Sequence, residues 1–262
     1  MIQIFTDTSA NLPAAYIQKY SLRVIPLTYF VDGVEAHQDP AVDFDGKAYY
    51  DAMRSGTPVS TAMINLAAFL EPLHAALAAG DDVIYIGTAH AAAMAVQELQ
   101  EEFPERKIAA IDTYAASLGE GLLVIEAARM LENGAPFSLI VEQISRRRHT
   151  MCQYFTVDDL AYLERGGRVS KAAAIVGTVL KIKPLLRGDD EGKIVLCGKT
   201  RGRKSEEIGI AHADDAAGAQ FLLDALRQRG FTGECLTVCY EPVTGSHVGP
   251  GTVALFFQGI HR

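Results

Sequence analysis

Short apolar segments alternate with helical patterns through the first half of the chain. Residues 2–5, 82–87 and 107–112 each have the composition of a buried strand that runs into a polar loop and then a helix. This alternation is typical of a parallel sheet covered by helices. We therefore predict an α/β fold that begins with a three-layer α/β/α domain. The loops after such strands meet at one edge of the sheet, where open α/β sheets bind ligands.

The alternation stops near residue 150, after a helical pattern at 138–146. Strand patterns then predominate, with helical patterns near residues 160, 175, 205 and 220, and the strands are expected at 152–156, 182–187, 192–198, 237–240 and 252–257. We predict a Rossmann-like α/β domain over 1–150 and an α+β domain over 151–262. The sheet of the second domain should be mixed and largely antiparallel.

Two local signals refine the first half. Asp32-Gly33 stands between two strand-like stretches and predicts a hairpin turn. Asn65 is expected to cap a helix over 66–79, which places Thr61 on the preceding loop with a hydroxyl free to donate a hydrogen bond. These signals are local, so they predict the element boundaries better than the packing.

Composition limits the function classes. The formal net charge is −8 and the isoelectric point is near 5.4, a balance that argues against binding a nucleic-acid backbone. The start, MIQIFTDTS, has no basic region or small-residue cleavage site, and the apolar runs fall short of the roughly 18 residues that span a bilayer. We expect a cytoplasmic protein without stable membrane insertion.

The four cysteines give no sign of a metal site or a disulfide. They are Cys152, Cys197, Cys235 and Cys239, and none forms a Cys-x-x-Cys pair. Cys235 and Cys239 fall in one predicted strand, where four residues separate Cα atoms by about 13 Å, too far for a disulfide. We expect free thiols, no metal and no cofactor.

A glycine pair and an arginine interrupt the segment 155–186, whose later part is strongly apolar. Gly166 and Gly167 are expected to form a turn with positive φ, and Ser170 is a good N-cap for a helix over 171–179. Arg168 would then lie beside the first turn of that helix, where backbone N–H groups favour an anion. The alternative is an ordinary turn with a solvated arginine.

His247 lies within Thr244 to Thr252, which contains three glycines and a proline just before the final strand. So many glycine and proline residues predict a shaped loop, and His247 is the strongest single polar candidate for a site. A purely structural histidine is the alternative.

Two further polar positions follow predicted strands. Ser9, together with Asp7, lies in the loop after the first strand, where these residue types either face a ligand or act as caps. His90 lies between the strand 82–87 and an alanine-rich helix, where capping is the more common role. Neither pattern decides between the two readings.

Several motifs together resemble the DegV family of two-domain fatty-acid-binding proteins. They are DTSANLP at 7–13, LAYLERGGRVS at 160–170, LKIKPLL at 180–186, Lys199-Thr200-Arg201 and SHVGPGT at 246–252. The resemblance extends over nearly the whole chain. It implies that a long-chain fatty acid lies in a tunnel between the domains. It further implies presentation of that acid to a separate ATP-binding kinase subunit, which converts the carboxylate to an acyl phosphate.

The resemblance also suggests site residues. Thr61, Arg168 and His247 match the family positions near the carboxylate, with Ser9 in the neighbouring loop. The family serine of the Ser-Gly-Leu-Ser-Gly-Thr segment corresponds to Ala93, so one head-group donor is missing. Either His90 replaces that donor, or the ligand and its position differ.

The acyl tunnel is expected to be lined by Ala93 and by one apolar helix over 171–180. The lining residues of that helix are Ala173, Ile175, Val176 and Leu180. An ordinary core helix would show the same composition, so both interpretations stand.

The sequence leaves two other functions open. A hydrolase or acyl transferase could use His247 as a base with Ser9 or Thr61 as nucleophile, although the chain lacks a P-loop, a zinc motif and a Gly-x-Ser-x-Gly elbow. A protein-docking role could use the basic residues Lys193, Lys199, Arg201, Arg203 and Lys204, although a solvated face is the simpler explanation of this basic run.

Overall fold

The computed structural model describes residues 1–88, 90–170, 183–197 and 206–260, and of His90 it describes only the backbone. In chain order, the elements up to residue 150 are β1 (Ile2–Asp7), α1 (Ala14–Lys19), β2 (Arg23–Ile25), β3 (Thr28–Val31), β4 (Val34–His37), α2 (Lys47–Arg54), β5 (Val59–Ala62), α3 (Leu66–Ala78), β6 (Asp82–Gly87), α4 (His90–Glu102), β7 (Ile108–Asp112), α5 (Leu118–Glu132) and α6 (Phe137–Arg147). The later described elements are β8 (Met151–Thr156), α7 (Ala161–Arg165), β9 (Leu185–Gly188), β10 (Ile194–Leu196), β11 (Glu207–His212), α8 (Ala216–Gln228), β12 (Glu234–Cys239), α9 (Pro242–Val248) and β13 (Val253–Gln258).

The first sheet is parallel, with strand order β2-β1-β6-β7. Alternate residues of β6 point to opposite faces, as the pleat of a strand requires. Val83 and Tyr85 pack with α3 and α4, whereas Ile84 and Ile86 join the cluster that contains the buried face of α5. Helices therefore cover both faces, and the predicted parallel three-layer arrangement is confirmed.

A small antiparallel sheet, ordered β4-β3-β5, is attached to this half. Asp32 and Gly33 form its predicted hairpin turn with φ of 50° and 77°, and both positive angles suit the right-handed twist of the strands. Thr61 was expected on a loop, but it lies on β5 opposite Tyr29. The loop prediction was wrong because β3 has a free edge, and pairing with β5 satisfies its backbone groups.

The second large sheet has strand order β10-β9-β8-β13-β11-β12. Its described pairs are antiparallel except β11 with β12, so the predicted mixed, largely antiparallel sheet is confirmed. A helix was expected near residue 205. That position lies at residues 198–205, outside the described residues. The residues just after it, from 207 to 212, form the inner strand β11, which was not predicted and is buried along most of its length. A short apolar run does not by itself distinguish a buried strand from a helix.

Helix α9 replaces the loop expected around His247. Glu241 caps its N-terminus, because the side-chain oxygens accept from the N–H groups of Val243 and Thr244 at 2.6 Å each. Pro242 occupies the first helical position, where its missing N–H leaves no intrahelical bond unmade. The glycines and the proline of the motif that follow His247 belong to the connection into β13.

The two large sheets share a core through α5. This helix packs on β1 and β6 of the first sheet, and Leu118 at its start meets β11 of the second, where a Cβ on Gly209 would lie 2.8 Å from that of Leu118. One large apolar cluster therefore contains residues from both halves. The strands divide between the sheets on either side of residue 150, and a domain boundary there remains a prediction.

In the part of the chain that the structure describes, no helix is both long and apolar enough to span a bilayer.

Candidate functional site

A cavity of about 560 Å³ lies between elements of the two halves. Its first-half walls come from the ends of β1, β5, β6 and β7, and its second-half walls from β8, α7, α9 and the β9–β10 hairpin. The apolar lining includes Leu27, Ile64, Phe155, Leu163, Ile194, Val243, Val248 and Phe256. Cavities of this size that are mostly apolar, with a few converging polar groups, are typical of small-molecule sites.

Thr61 and His247 form a polar pair that lines this cavity from the two halves of the chain. The Thr61 hydroxyl oxygen on β5 lies 3.0 Å from Nε2 of His247 in the last turn of α9. Burial lowers the pKa of His247 to about 4, and the positive charge of Arg168 adds to the effect. His247 is therefore neutral at pH 7 and carries one ring proton.

That single proton determines what the pair can offer a ligand. If Nε2–H of His247 donates to the Thr61 oxygen, the Thr61 hydroxyl proton is free to point into the cavity. With the proton on Nδ1, Thr61 would donate to Nε2 and would have no hydrogen for a ligand. An anionic ligand therefore favours the Nε2–H tautomer, because only that tautomer gives it a hydroxyl donor.

Gly166 allows the imidazole ring to approach the backbone. Its φ is −73°, so only Gly167, at φ 73°, has the positive angle that was expected of both residues. A Cβ on Gly166 would overlap Nδ1 of His247, whereas nothing lies within 4 Å of the same position on Gly167. The two glycines thus have different roles: one makes room for His247, and the other makes the turn.

Arg168 follows this turn at the exposed rim of the cavity. Its Nη1 donates to the carbonyl oxygen of Gly166, which holds the arginine beside the His247 ring. The structure therefore brings Thr61, Arg168 and His247 to one cavity. The helix expected over 171–179, with Ala173, Ile175, Val176 and Leu180, lies outside the described residues.

Ser9 also faces this cavity, but its hydroxyl is engaged by a buried carboxyl. Ser9 Oγ lies 2.5 Å from Oδ1 of Asp7, 3.4 Å from Oε2 of Glu120 and 3.5 Å from the hydroxyl of Thr88. The shortest of these contacts takes the Ser9 proton. Ser9 therefore presents mainly acceptor capacity to the cavity, which disfavours direct contact with a carboxylate.

Of the two roles that the sequence left open, Asp7 has the capping role, and it does not line the cavity of about 560 Å³. It caps the short helix of residues 8–10 through the Ser9 N–H at 2.8 Å, and it also accepts from the Tyr85 hydroxyl at 2.5 Å. Burial raises the pKa of Asp7, and it raises that of Glu120 well above the ordinary value, with the Asp7 charge adding to the latter shift. Both carboxyls therefore keep a proton to a higher pH than they would in water.

The remaining predicted positions lie elsewhere. Ala93 is exposed on α4 and does not line the cavity. His90 begins α4, and its side chain is outside the described structure. Thr88, just before that helix, does line the cavity. The sequence did not single it out, although its position after β6 is where a parallel sheet places ligand contacts.

Thr244 and Glu241 were also missed. Thr244 lines the cavity from the first turn of α9, and Glu241 caps that helix from a fully buried position. The signal was Glu-Pro-x-Thr, an acidic cap with proline at the first helical position, which glycine-rich loop patterns downstream obscured. Among the described residues, no three His, Cys, Asp or Glu side chains are grouped to hold a metal ion.

Fold and cavity together define an α/β protein of the small-molecule-binding class. A family model described as an uncharacterised protein of the DegV family matches residues 1–206. A DegV domain-containing protein of Clostridium perfringens is 33% identical over 281 residues, which cover 98% of this chain and 97% of that protein. The chain belongs to the DegV family.

Solved structures show the same fold. A fatty acid binding DegV family protein from Streptococcus agalactiae has a TM-score of 0.85 at 27% identity, with 99% of each chain covered. A DegV family protein from Thermus thermophilus, whose structure was described for fatty acid binding, has a TM-score of 0.82 at 25% identity. The match covers 99% of each chain.

Proposed function

We propose that this protein binds a long-chain fatty acid in the cavity, with the carboxylate at Thr61, Arg168 and His247. The acyl chain would lie against the apolar lining. The description of the Streptococcus agalactiae and Thermus thermophilus relatives as fatty acid binding supports this ligand class. The observation that carries the proposal is the Thr61–His247 pair, which opens with Arg168 into one mostly apolar cavity.

The apolar lining would supply most of the affinity. Burial of an acyl chain stabilises the complex by roughly 0.8 kcal/mol per CH₂, so about 15 methylenes contribute roughly 12 kcal/mol. Loss of translational and chain freedom offsets a large part of this. The tail therefore determines how tightly the ligand binds, and the polar end determines its direction.

The polar end would keep the carboxylate from being buried without partners. A desolvated carboxylate costs several kcal/mol unless it is hydrogen-bonded and paired. The Thr61 hydroxyl, held by Nε2–H of His247, can donate one hydrogen bond, and Arg168 at the rim supplies the positive charge. A neutral His247 fits this role, since it orients Thr61 and adds no charge of its own.

Mass spectrometry of the purified protein under native conditions tests the ligand class. We expect a co-purifying long-chain acid, and after lipid removal we expect octadecanoic acid to bind more tightly than its methyl ester. Equal affinity for acid and ester would overturn the carboxylate contact. Failure to bind either compound would overturn the ligand class.

We further propose that the protein is cytoplasmic and presents the bound acid to a separate ATP-binding kinase subunit. Exposure of Arg168 at the rim supports this, because the carboxylate would lie near the surface, within reach of a second protein. The test is formation of acyl phosphate from bound octadecanoic acid with ATP and the kinase subunit. If the kinase subunit formed acyl phosphate from free octadecanoic acid at the same rate without this protein, presentation would be contradicted.

The Thr61–His247 pair also supports a second candidate, an acyl hydrolase or transferase. Two features weaken it. The low pKa of His247 makes the imidazole a poor base at pH 7, and the hydrogen bonds of Ser9 run to Asp7, Glu120 and Thr88. Turnover of an octadecanoyl ester by the wild type, abolished in His247→Ala, would favour the enzyme.

A further inference from the structure

Two neighbouring tyrosines of α2 hold the backbone where β12 passes into α9. The hydroxyl of Tyr50 donates to the carbonyl oxygen of Tyr240 at 2.8 Å, and that of Tyr49 donates to the carbonyl oxygen of Pro242 at 3.0 Å. Both bonds are buried and join residues more than 180 positions apart along the chain. Each hydroxyl satisfies a carbonyl that water cannot reach.

Asn11 binds the residue between them. The N–H of Glu241 donates to Oδ1 of Asn11 at 3.1 Å, and Nδ2 of Asn11 donates in turn to the Ser117 hydroxyl at 3.1 Å. Three consecutive residues, 240 to 242, are therefore bound through their backbone by side chains from the first half of the molecule. The N-terminal end of α9 has little freedom to shift.

Tyr50 also fits tightly between two glycines. It is fully buried, and a Cβ on Gly46 would lie 2.6 Å from its ring. On the other side, a Cβ on Gly245 of α9 would overlap its hydroxyl oxygen. The Tyr50 side chain is therefore closely packed between the backbone of Gly46 and that of Gly245. This packing limits how far α9 can move relative to α2.

Helix α9 carries this constraint to the cavity. It is seven residues long, and Val243, Thr244, His247 and Val248 line the cavity. A helix this short moves as one rigid piece, so a change in the direction of its axis at the first turn also moves the last turn, which carries His247. The 3.0 Å contact between His247 and Thr61 depends on that direction.

We propose that the hydroxyls of Tyr49 and Tyr50 position the polar end of the ligand site, because they set the direction of α9 and bring His247 to Thr61. They are positioning residues and do not line the cavity. This positioning role rests on the proposed fatty-acid function in one test, the comparison of acid and ester affinity. The other test, the pKa of His247, needs no ligand.

The competing explanation is that these hydroxyls contribute only to stability. Glu241 caps α9, and β12 and β13 hold its two ends, so the helix could keep its direction without the tyrosines. Loss of a buried hydroxyl would then lower the melting temperature and leave the site unchanged. The experiment must therefore measure the site itself.

The variants Tyr50→Phe and Tyr49→Phe each remove one hydroxyl and keep the ring. Tyr29→Phe is the matched control, since the Tyr29 ring packs edge-on against Tyr49 at 5.8 Å, and within the described residues its hydroxyl has no hydrogen bond to α9. The first measurement is a pH titration of the ligand-free protein, in which NMR signals of the His247 ring report its pKa. The second is the affinity ratio of octadecanoic acid to its methyl ester.

In the wild type and in Tyr29→Phe we expect the pKa of His247 near 4. In Tyr50→Phe we expect it to move upward, because a displaced ring is better solvated, and the acid-to-ester ratio should fall about three- to tenfold. Tyr49→Phe should act in the same direction, and it serves as the test if Tyr50→Phe does not fold.

A lower melting temperature with an unchanged His247 pKa would overturn the positioning role. An equal pKa change in Tyr29→Phe would overturn it as well, since the effect would then belong to the aromatic cluster. If the wild type binds no fatty acid, the proposed function fails, whereas the ligand-free titration still decides whether the tyrosines position His247.

Discussion

The hydroxyl oxygen of Thr61 lies 3.0 Å from Nε2 of His247, although 186 residues separate the two along the chain. Thr61 belongs to a small sheet of the first half, and His247 to the last described helix. The pair therefore exists only when both halves are assembled, and it marks the polar end of the cavity.

Thr61→Val should weaken binding of octadecanoic acid about tenfold or more, because the hydrogen bond to a charged group is lost while the side-chain shape is kept. Thr61→Ser should retain most of the affinity. Isothermal titration calorimetry on delipidated protein measures both. Ser60→Ala on the same strand is the control, since Ser60 is exposed and does not line the cavity. An unchanged affinity in Thr61→Val would contradict the assigned contact.

Gly166→Ala should disturb the site without straining the backbone. Its φ of −73° suits alanine, but the added Cβ would overlap Nδ1 of His247 and push the ring away from Thr61. We expect a weaker preference for acid over ester, measured by competition binding. Gly167→Ala, with φ at 73° and an open surrounding, should instead lower stability by roughly 1 kcal/mol and spare that preference. The same preference in Gly166→Ala as in the wild type would refute the close approach.

Arg168→Ala should weaken binding of the acid by about two- to fivefold and leave binding of the methyl ester unchanged. The effect is modest because the arginine is exposed and water screens its charge. It should also shrink as salt is raised from low to high ionic strength. Arg165→Ala is the matched control, since Arg165 stacks over the Tyr162 ring at 4.4 Å and does not line the cavity. Equal losses for acid and ester would count against a carboxylate at Arg168.

Glu241 should make stability fall as pH rises. Burial raises its pKa from 4.5 to about 7 in the folded protein, so between these values the folded state binds more protons than the unfolded state. Its stabilising contribution is complete below pH 4.5 and is lost as pH rises through 7, a change on the order of 3 kcal/mol.

The measurement is urea unfolding of the wild type and Glu241→Gln at several pH values. Glutamine keeps the shape and carries no titrating proton, so the stability advantage of the wild type should decrease from pH 5 to pH 8. A constant or increasing difference would show that the Glu241 pKa is not raised. Any loss of the helix cap in Glu241→Gln changes the difference in the free energy of unfolding by an amount that does not depend on pH.

Local physics made several elements predictable. Asp32-Gly33 forms the expected hairpin turn, and Asn65 caps its helix by accepting from the Ala68 N–H at 3.0 Å. The turn and the cap each depend only on residues within a few positions of each other, so the local sequence is enough to predict them. The parallel and mixed sheets followed from apolar periodicity over longer stretches.

The errors occurred where distant partners decide the local structure. Thr61 lies on a strand because β3 offers it a free edge. The stretch 207–212 is a strand because it lies between β12 and β13. His247 ends a helix that a buried Glu241 caps. No window around these residues contains the partner that stabilises them.

The sequence by itself determined the fold class, the strand and helix rhythm of the first half, the family and the residue types of the polar site. Apolar periodicity and short-range turn and cap chemistry encode the fold class and the rhythm directly, whereas the family and the polar site residues were indicated by the resemblance of the motifs. Only the tertiary structure decided that Thr61 and His247 touch, that Gly166 makes room for the ring, and that α2 holds α9. The physical reason is that such contacts are set by packing between segments far apart in the chain, whose relative position no local pattern specifies.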